Sequence, residues 1–126
     1  MRLIGTAILA VLVSHPASGQ ESAKQAAIDN AQAELSVCLS FYSILTDCVG
    51  NEAESRAAAE AAMGRVGKML MKASEAAHLR PSDVQLRLDL DLLDQRTFMG
   101  NSCAAVGTLR ARYADQCGIF LKAASE

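Results

Sequence analysis

The side chains whose chemistry is fixed by type are four cysteines, Cys38, Cys48, Cys103 and Cys117. A thiol can attack, ligate or close a disulfide, and spacing selects among these. No CxxC occurs, which argues against dithiol redox exchange. No CxxCH occurs, so covalent haem is not expected. An even number of cysteines in an oxidising compartment reads as two disulfides.

The other reactive groups do not converge. His78 closes a helical stretch, where a cation interacts favourably with the helix dipole. A Ser-His-Asp triad built on it lacks a G-x-S-x-G nucleophile turn. Met69 and Met71, with Met63, Met99 and His78, are soft donors of the kind that hold copper. Met69 and Met71 point to different sides of a helix, so filling gaps in the core is the simpler role. Asp89, Asp91 and Asp94 raise metal binding or acid–base chemistry. On a helix Asp91 and Asp94 share a face and Asp89 does not. With Arg87 and Arg96 interleaved, the series reads as a solvated face, without the loop of a calcium-binding hand. Tyr113 with Arg110 and Arg112 forms a basic-aromatic spot, and Tyr113 itself reads as core with its hydroxyl at the bundle edge. No catalytic, cofactor or metal site is therefore expected, and the chain reads as a non-enzyme.

The elements that carry these residues are helical. From Ile28 to Val49 the apolar positions are Ile28, Ala31, Leu35, Cys38, Tyr42, Leu45 and Val49. Alternating steps of three and four place them on one stripe. Val37, Phe41, Ile44 and Cys48 widen it. The first helix is predicted over about Ser22 to Cys48, stopped by Gly50. Asn51 with Glu54 forms a capping-box pattern for the second, over Glu52 to His78. The short link makes the two antiparallel neighbours. The second helix's inner stripe is Ala59, Met63, Val66, Leu70, Ala73 and Ala77. Ala61, Ala62, Gly64 and Gly67 are small enough to admit a close neighbour.

Pro81 ends that helix. Ser82 to Gln85 is a second capping-box pattern. The stretch from Val84 to Gln95 has two readings. Val84, Leu86, Leu88, Leu90 and Leu92 alternate as in a half-buried strand. As a helix, Leu86, Leu90 and Leu93 lie on one side and Leu88 and Leu92 on another. No second strand is available, so helix is predicted. Gly100-Asn101-Ser102 is a break or a kink. A last periodic stretch runs from Cys103 to Ala124, with Val106, Leu109, Tyr113, Cys117, Phe120 and Ala124 on one face.

The N-terminus has the layout of a secretory signal peptide. Met1-Arg2 is its positive start, Leu3 to Val13 its apolar run, and Ser14 to Gly19 its small-residue zone. Small residues at Ala17 and Gly19 predict cleavage before Gln20. The apolar run is too short to span a bilayer, which needs about 20 residues. Residues 1–19 are thus read as the signal and residues 20–126 as one helical domain, exported to a periplasm or beyond. The net charge of −2 is spread along the chain without a basic patch, which argues against nucleic acid as a partner. Hydrophobic residues make up 51% of the chain but lean on alanine, with no Trp. Such a core is thin and gains from cross-links.

Helix geometry constrains those cross-links. Cys38 and Cys48 on one helix are separated by about 15 Å along its axis. Cys103 and Cys117 are separated by about 21 Å. A disulfide needs Cα atoms within about 7 Å, so the bonds must join the first helix to the C-terminal segment. If the chain breaks at Gly100, the pairs are Cys38–Cys117 and Cys48–Cys103. If a long third helix continues through Gly100, they are Cys38–Cys103 and Cys48–Cys117. The four-helix arrangement is the favoured one.

Gly100 to Cys117, GNSCAAVGTLRARYADQC, resembles the C-terminal G-N-x-C…L-x-x-x-Y-x-x-x-C segment of short exported, all-helical, cysteine-containing proteins of alphaproteobacteria. CLSFYSILTDC resembles their first cysteine region. The resemblance implies export and an all-helical fold, and it implies no activity. The expectation is an all-α, disulfide-braced antiparallel bundle of about four helices, without cofactor. It would bind another protein or serve as a structural module. Small residues lining its stripes suggest an alternative, a carrier of a small apolar ligand between helices.

Overall fold

The computed structural model describes residues 16–50 and 52–124. Most of the expected signal segment, and Asn51, lie outside the described residues. Four α-helices form, α1 Pro16–Cys48, α2 Ala53–Ala76, α3 Pro81–Phe98 and α4 Val106–Ala124, with a 3-10 turn at Cys103–Ala105 before the last. No strand occurs among the described residues, so the leucine alternation after Val84 is helical. None of the described helices is long and apolar enough to cross a membrane.

The 33-residue α1 is the spine, roughly 50 Å long. It begins at Pro16 rather than near Ser22. All three other helices pack on it, while α3 has almost no interface with α2 or α4. Leu35, Cys38, Phe41, Tyr42, Ile44 and Leu45 are buried along it. Across from them lie Ala59, Ala62, Val66 and Leu70 of α2, and Leu109, Tyr113 and Cys117 of α4. The Phe41 ring stacks obliquely between Tyr42 and Tyr113, at 5.1 and 6.0 Å between centroids.

Helix ends decide the topology. Gly50 and Gly100 take φ of +63° and +64°, a left-handed conformation that glycine adopts without penalty. At α3's end, Gly100 N–H donates to Thr97 O and Asn101 N–H to Arg96 O. This double bond pattern closes the helix and turns the chain away. A long third helix through Gly100 is thereby ruled out. At α2's end His78 takes the same role, with φ +59° and its N–H on Glu75 O. His78 therefore acts through its backbone as the left-handed cap.

Neither α2 nor α3 starts where the predicted capping boxes place it. The N-cap of α2 is Glu52, whose side chain accepts from Ser55 Oγ instead of a backbone N–H. The N-cap of α3 is Arg80, because Pro81 suits the first helical position, where no N–H is needed. That shifts Ser82 inside the helix. Close approach at the small residues of α2 is also not realised at Gly64, where an added Cβ would meet nothing within 4 Å. At Gly67 it would meet only Leu39 Cδ1, at 3.8 Å.

The disulfides are Cys38–Cys117 and Cys48–Cys103, with Cα separations of 5.4 and 5.3 Å. They fix α4 antiparallel to α1 and close the bundle. In the chain-entropy picture, loops of 79 and 55 residues are each worth about 4 kcal/mol when closed alone. Cys38 and Cys117 are fully buried, whereas Cys103 is exposed. Graded reduction with mass-mapped alkylation is expected to label Cys48 and Cys103 first, and Cys38 and Cys117 only on unfolding. Simultaneous labelling of all four would contradict this burial. In α2, Gly64→Ala adds a helix-favouring methyl in open space. Urea denaturation should show about 1 kcal/mol more stability.

Candidate docking face on the third helix

The α1–α3 interface is polar on both sides. A row on α1, Gln32, Ser36 and Ser40, is spaced by four and buried. Ser36 Oγ donates to Asp91 Oδ2 at 2.7 Å. Arg87 Nε reaches the same carboxylate at 3.2 Å. Gln95, only 1% exposed, donates from Nε2 to the Val37 carbonyl at 2.9 Å. Ser40 Oγ lies 3.5 Å from the Leu88 carbonyl. Leu88 and Leu92 flank this seam and pack on the core. Gln32 Nε2 and Gln95 Oε1 find no partner among the described residues, so the bonds made by Ser36 and by Gln95 Nε2 are what fix which side of α3 faces inward.

The consequence is a second row of leucines on the opposite, outer side of α3. With Asp91 and Gln95 turned in, Leu86, Leu90 and Leu93 are turned out. They are 59%, 53% and 62% exposed, at successive steps of four and three. Three leucines thus share one solvent-facing stripe. Charges rim it on both sides. Arg87 and Asp94 follow one edge, Asp89 and Arg96 the other. Asp89 accepts from Gln85, and Arg96 lies 3.7 Å from Asp47 across an exposed pair. Arg80 hydrogen-bonds Asp83 at the helix start and holds its carboxyl below the usual carboxylate range.

The predicted site residues separate in space. Asp91 is not on a solvated face: only 14% of its side chain is exposed, and it belongs to the seam. Asp89 and Asp94 are exposed. Met99 is buried while Met71 is 65% exposed, so the methionines do not form one donor set. Among the described residues no group of His, Cys, Asp and Glu is arranged to hold a metal ion. Tyr113 is buried, and Arg112 lies over the Phe98 ring at 4.7 Å, tying α4 to the end of α3.

A hollow of about 330 Å³ opens between α1, α2 and α4. Phe41, Leu45, Ala59, Ala62, Arg110 and Leu121 line it. Tyr42 also borders it. Burial raises the Tyr42 pKa, and Arg65 partly offsets that.

Comparison with known protein families, characterised proteins and solved structures returns no match. The sequence grouped Leu86, Leu90 and Leu93 together but did not say which side faced water. The signal that decides it was present: Gln32, Ser36 and Ser40 form a polar row on the most apolar helix, matched by Asp91 and Gln95 four apart. Ser36→Ala removes one of the donors to the buried Asp91 carboxylate. Urea denaturation should show a loss of about 1–3 kcal/mol.

Proposed function

We propose that this protein is a non-enzymatic binding module of an oxidising, exported compartment, and that it docks through the outer face of α3 onto another polypeptide. The observation that carries this is the exposed Leu86–Leu90–Leu93 stripe on a helix that hydrogen bonds hold in place. Helices presenting anchors at i, i+4 and i+7 are a recurrent recognition mode. Export is supported by the signal-like residues 1–19 and by two disulfides, which persist where thiols are not kept reduced.

A second reading rests on the hollow between α1, α2 and α4. Its volume is at the small end of ligand sites, which run from about 300 to 1,000 Å³. Its apolar lining suits a short acyl chain or similar molecule. Native mass spectrometry of protein purified from an exported fraction tests it. A recurrent adduct of lipid-like mass supports a carrier, and its absence removes that reading.

The docking face is tested with a photo-crosslinking residue placed at Leu90 or, as control, at Lys68 on α2. Crosslinks to polypeptide are expected from position 90 and not from 68. In the protein without a crosslinker, Leu90→Asp should change stability by less than about 0.5 kcal/mol, since an exposed side chain is altered. The same substitution should abolish binding of any polypeptide captured at position 90. Equal crosslinking from both positions would contradict the assignment.

A further inference from the structure

We infer that the polypeptide docking on α3 is a second copy of this chain, paired antiparallel, α3 against α3, about a two-fold axis. The inference rests on the proposed docking face and goes further by naming its occupant. Charge complementarity within one helix carries it.

Leu86, Leu90, Leu93 and Thr97 step by four, three and four, the seam spacing of a coiled coil. Looking down the helix, Arg87 and Asp94 stand on one flank of that seam. Asp89 and Arg96 stand on the other. Each flank thus carries one cation and one anion, seven residues apart, in opposite order on the two sides.

In an antiparallel pair the layers would be Leu90 over Leu93 of the second copy, and Leu86 over Thr97, each occurring twice by symmetry. Like flanks then meet. Arg87 of one copy faces Asp94 of the other, and Asp89 faces Arg96. All four flanking contacts join opposite charges. In a parallel pair the flanks exchange partners, and Asp89 faces Asp94 of the second copy, acid against acid. The pattern therefore favours one orientation and opposes the other, as charged flanks do in coiled coils generally.

The groups needed are accessible. Leu86, Leu90 and Leu93 are each more than half exposed. Among the described residues Arg96 is paired with Asp47, an exposed contact at 3.7 Å that costs little to release. Arg87 remains on Asp91 and half exposed, so it can serve both carboxylates. Asp94 and Thr97 are exposed. Four layers make a short interface, of the kind that associates weakly and reversibly.

The test is sedimentation equilibrium of the exported protein, both disulfides formed, from about 10 to 500 µM, a range suited to a weak pair. The expected result is a mass that rises from one copy towards two. Leu90→Asp should stay at one copy throughout. Asp89→Lys and Arg96→Glu should each weaken self-association by tenfold or more, because each sets like charges face to face. Mixing these two variants in equal amounts should restore pairing, since each then supplies the charge the other lacks. A one-copy mass for the unaltered protein at every concentration overturns the inference. So does a dimer that Asp89→Lys strengthens, which is the parallel signature. If the chain stays monomeric while another protein binds in a manner sensitive to Leu90→Asp, self-pairing falls and the docking face stands. A dimer indifferent to Leu90→Asp removes both.

Discussion

The Cys38–Cys117 bond is the constraint on which the rest of the structure depends. Both residues are completely buried, so the cross-link is part of the core rather than a clasp outside it. It fixes which side of α1 belongs to α4. The Cys48–Cys103 bond then fixes direction, because two bonds at different heights permit only one orientation. With α2 held antiparallel by a tight turn, two sides of α1 are committed. The remaining side carries Gln32, Ser36 and Ser40, and α3 has only that seat.

The nature of that seat sets the character of α3. A serine and glutamine row cannot be covered by leucine alone without stranding hydroxyl and amide groups. Asp91 turns in to accept from Ser36, Ser40 reaches the Leu88 carbonyl, and Gln95 Nε2 bonds the Val37 carbonyl, which locks the rotation. Gln32 Nε2 and Gln95 Oε1 stay without partners among the described residues. Leu86, Leu90 and Leu93 have no interior left to occupy. The exposed stripe is thus a downstream result of a polar row on another helix.

Much of the fold was legible in the sequence. The apolar periodicity of residues 28–49 located the spine, and the ten-residue gap between Cys38 and Cys48 forbade a local bond. Gly100 was visible as a break or a kink. Its left-handed backbone, with Asn101 following in the same conformation, turned one possibility into the other and so selected the disulfide pairing. Less local features were not legible. The two capping boxes matched a pattern, but Pro81 displaced one start by its fixed geometry, and at the other Glu52 became the cap. Asp91 looked like its solvated neighbours because the sequence does not show that Ser36 stands opposite. Which leucines face water was harder to read, because leucine at 86, 90 and 93 reads equally well as core until the polar row on α1 is set against Asp91 and Gln95.

The orientation of α3 is the central claim, and side-chain footprinting with a short-lived hydroxyl radical tests it most directly. In dilute protein, modification of Leu86, Leu90 and Leu93 with protection of Leu88 and Leu92 is the expected result. Modification of Leu88 and Leu92 with Leu86, Leu90 and Leu93 protected would mean that α3 is rolled the other way, and that its leucines serve the core.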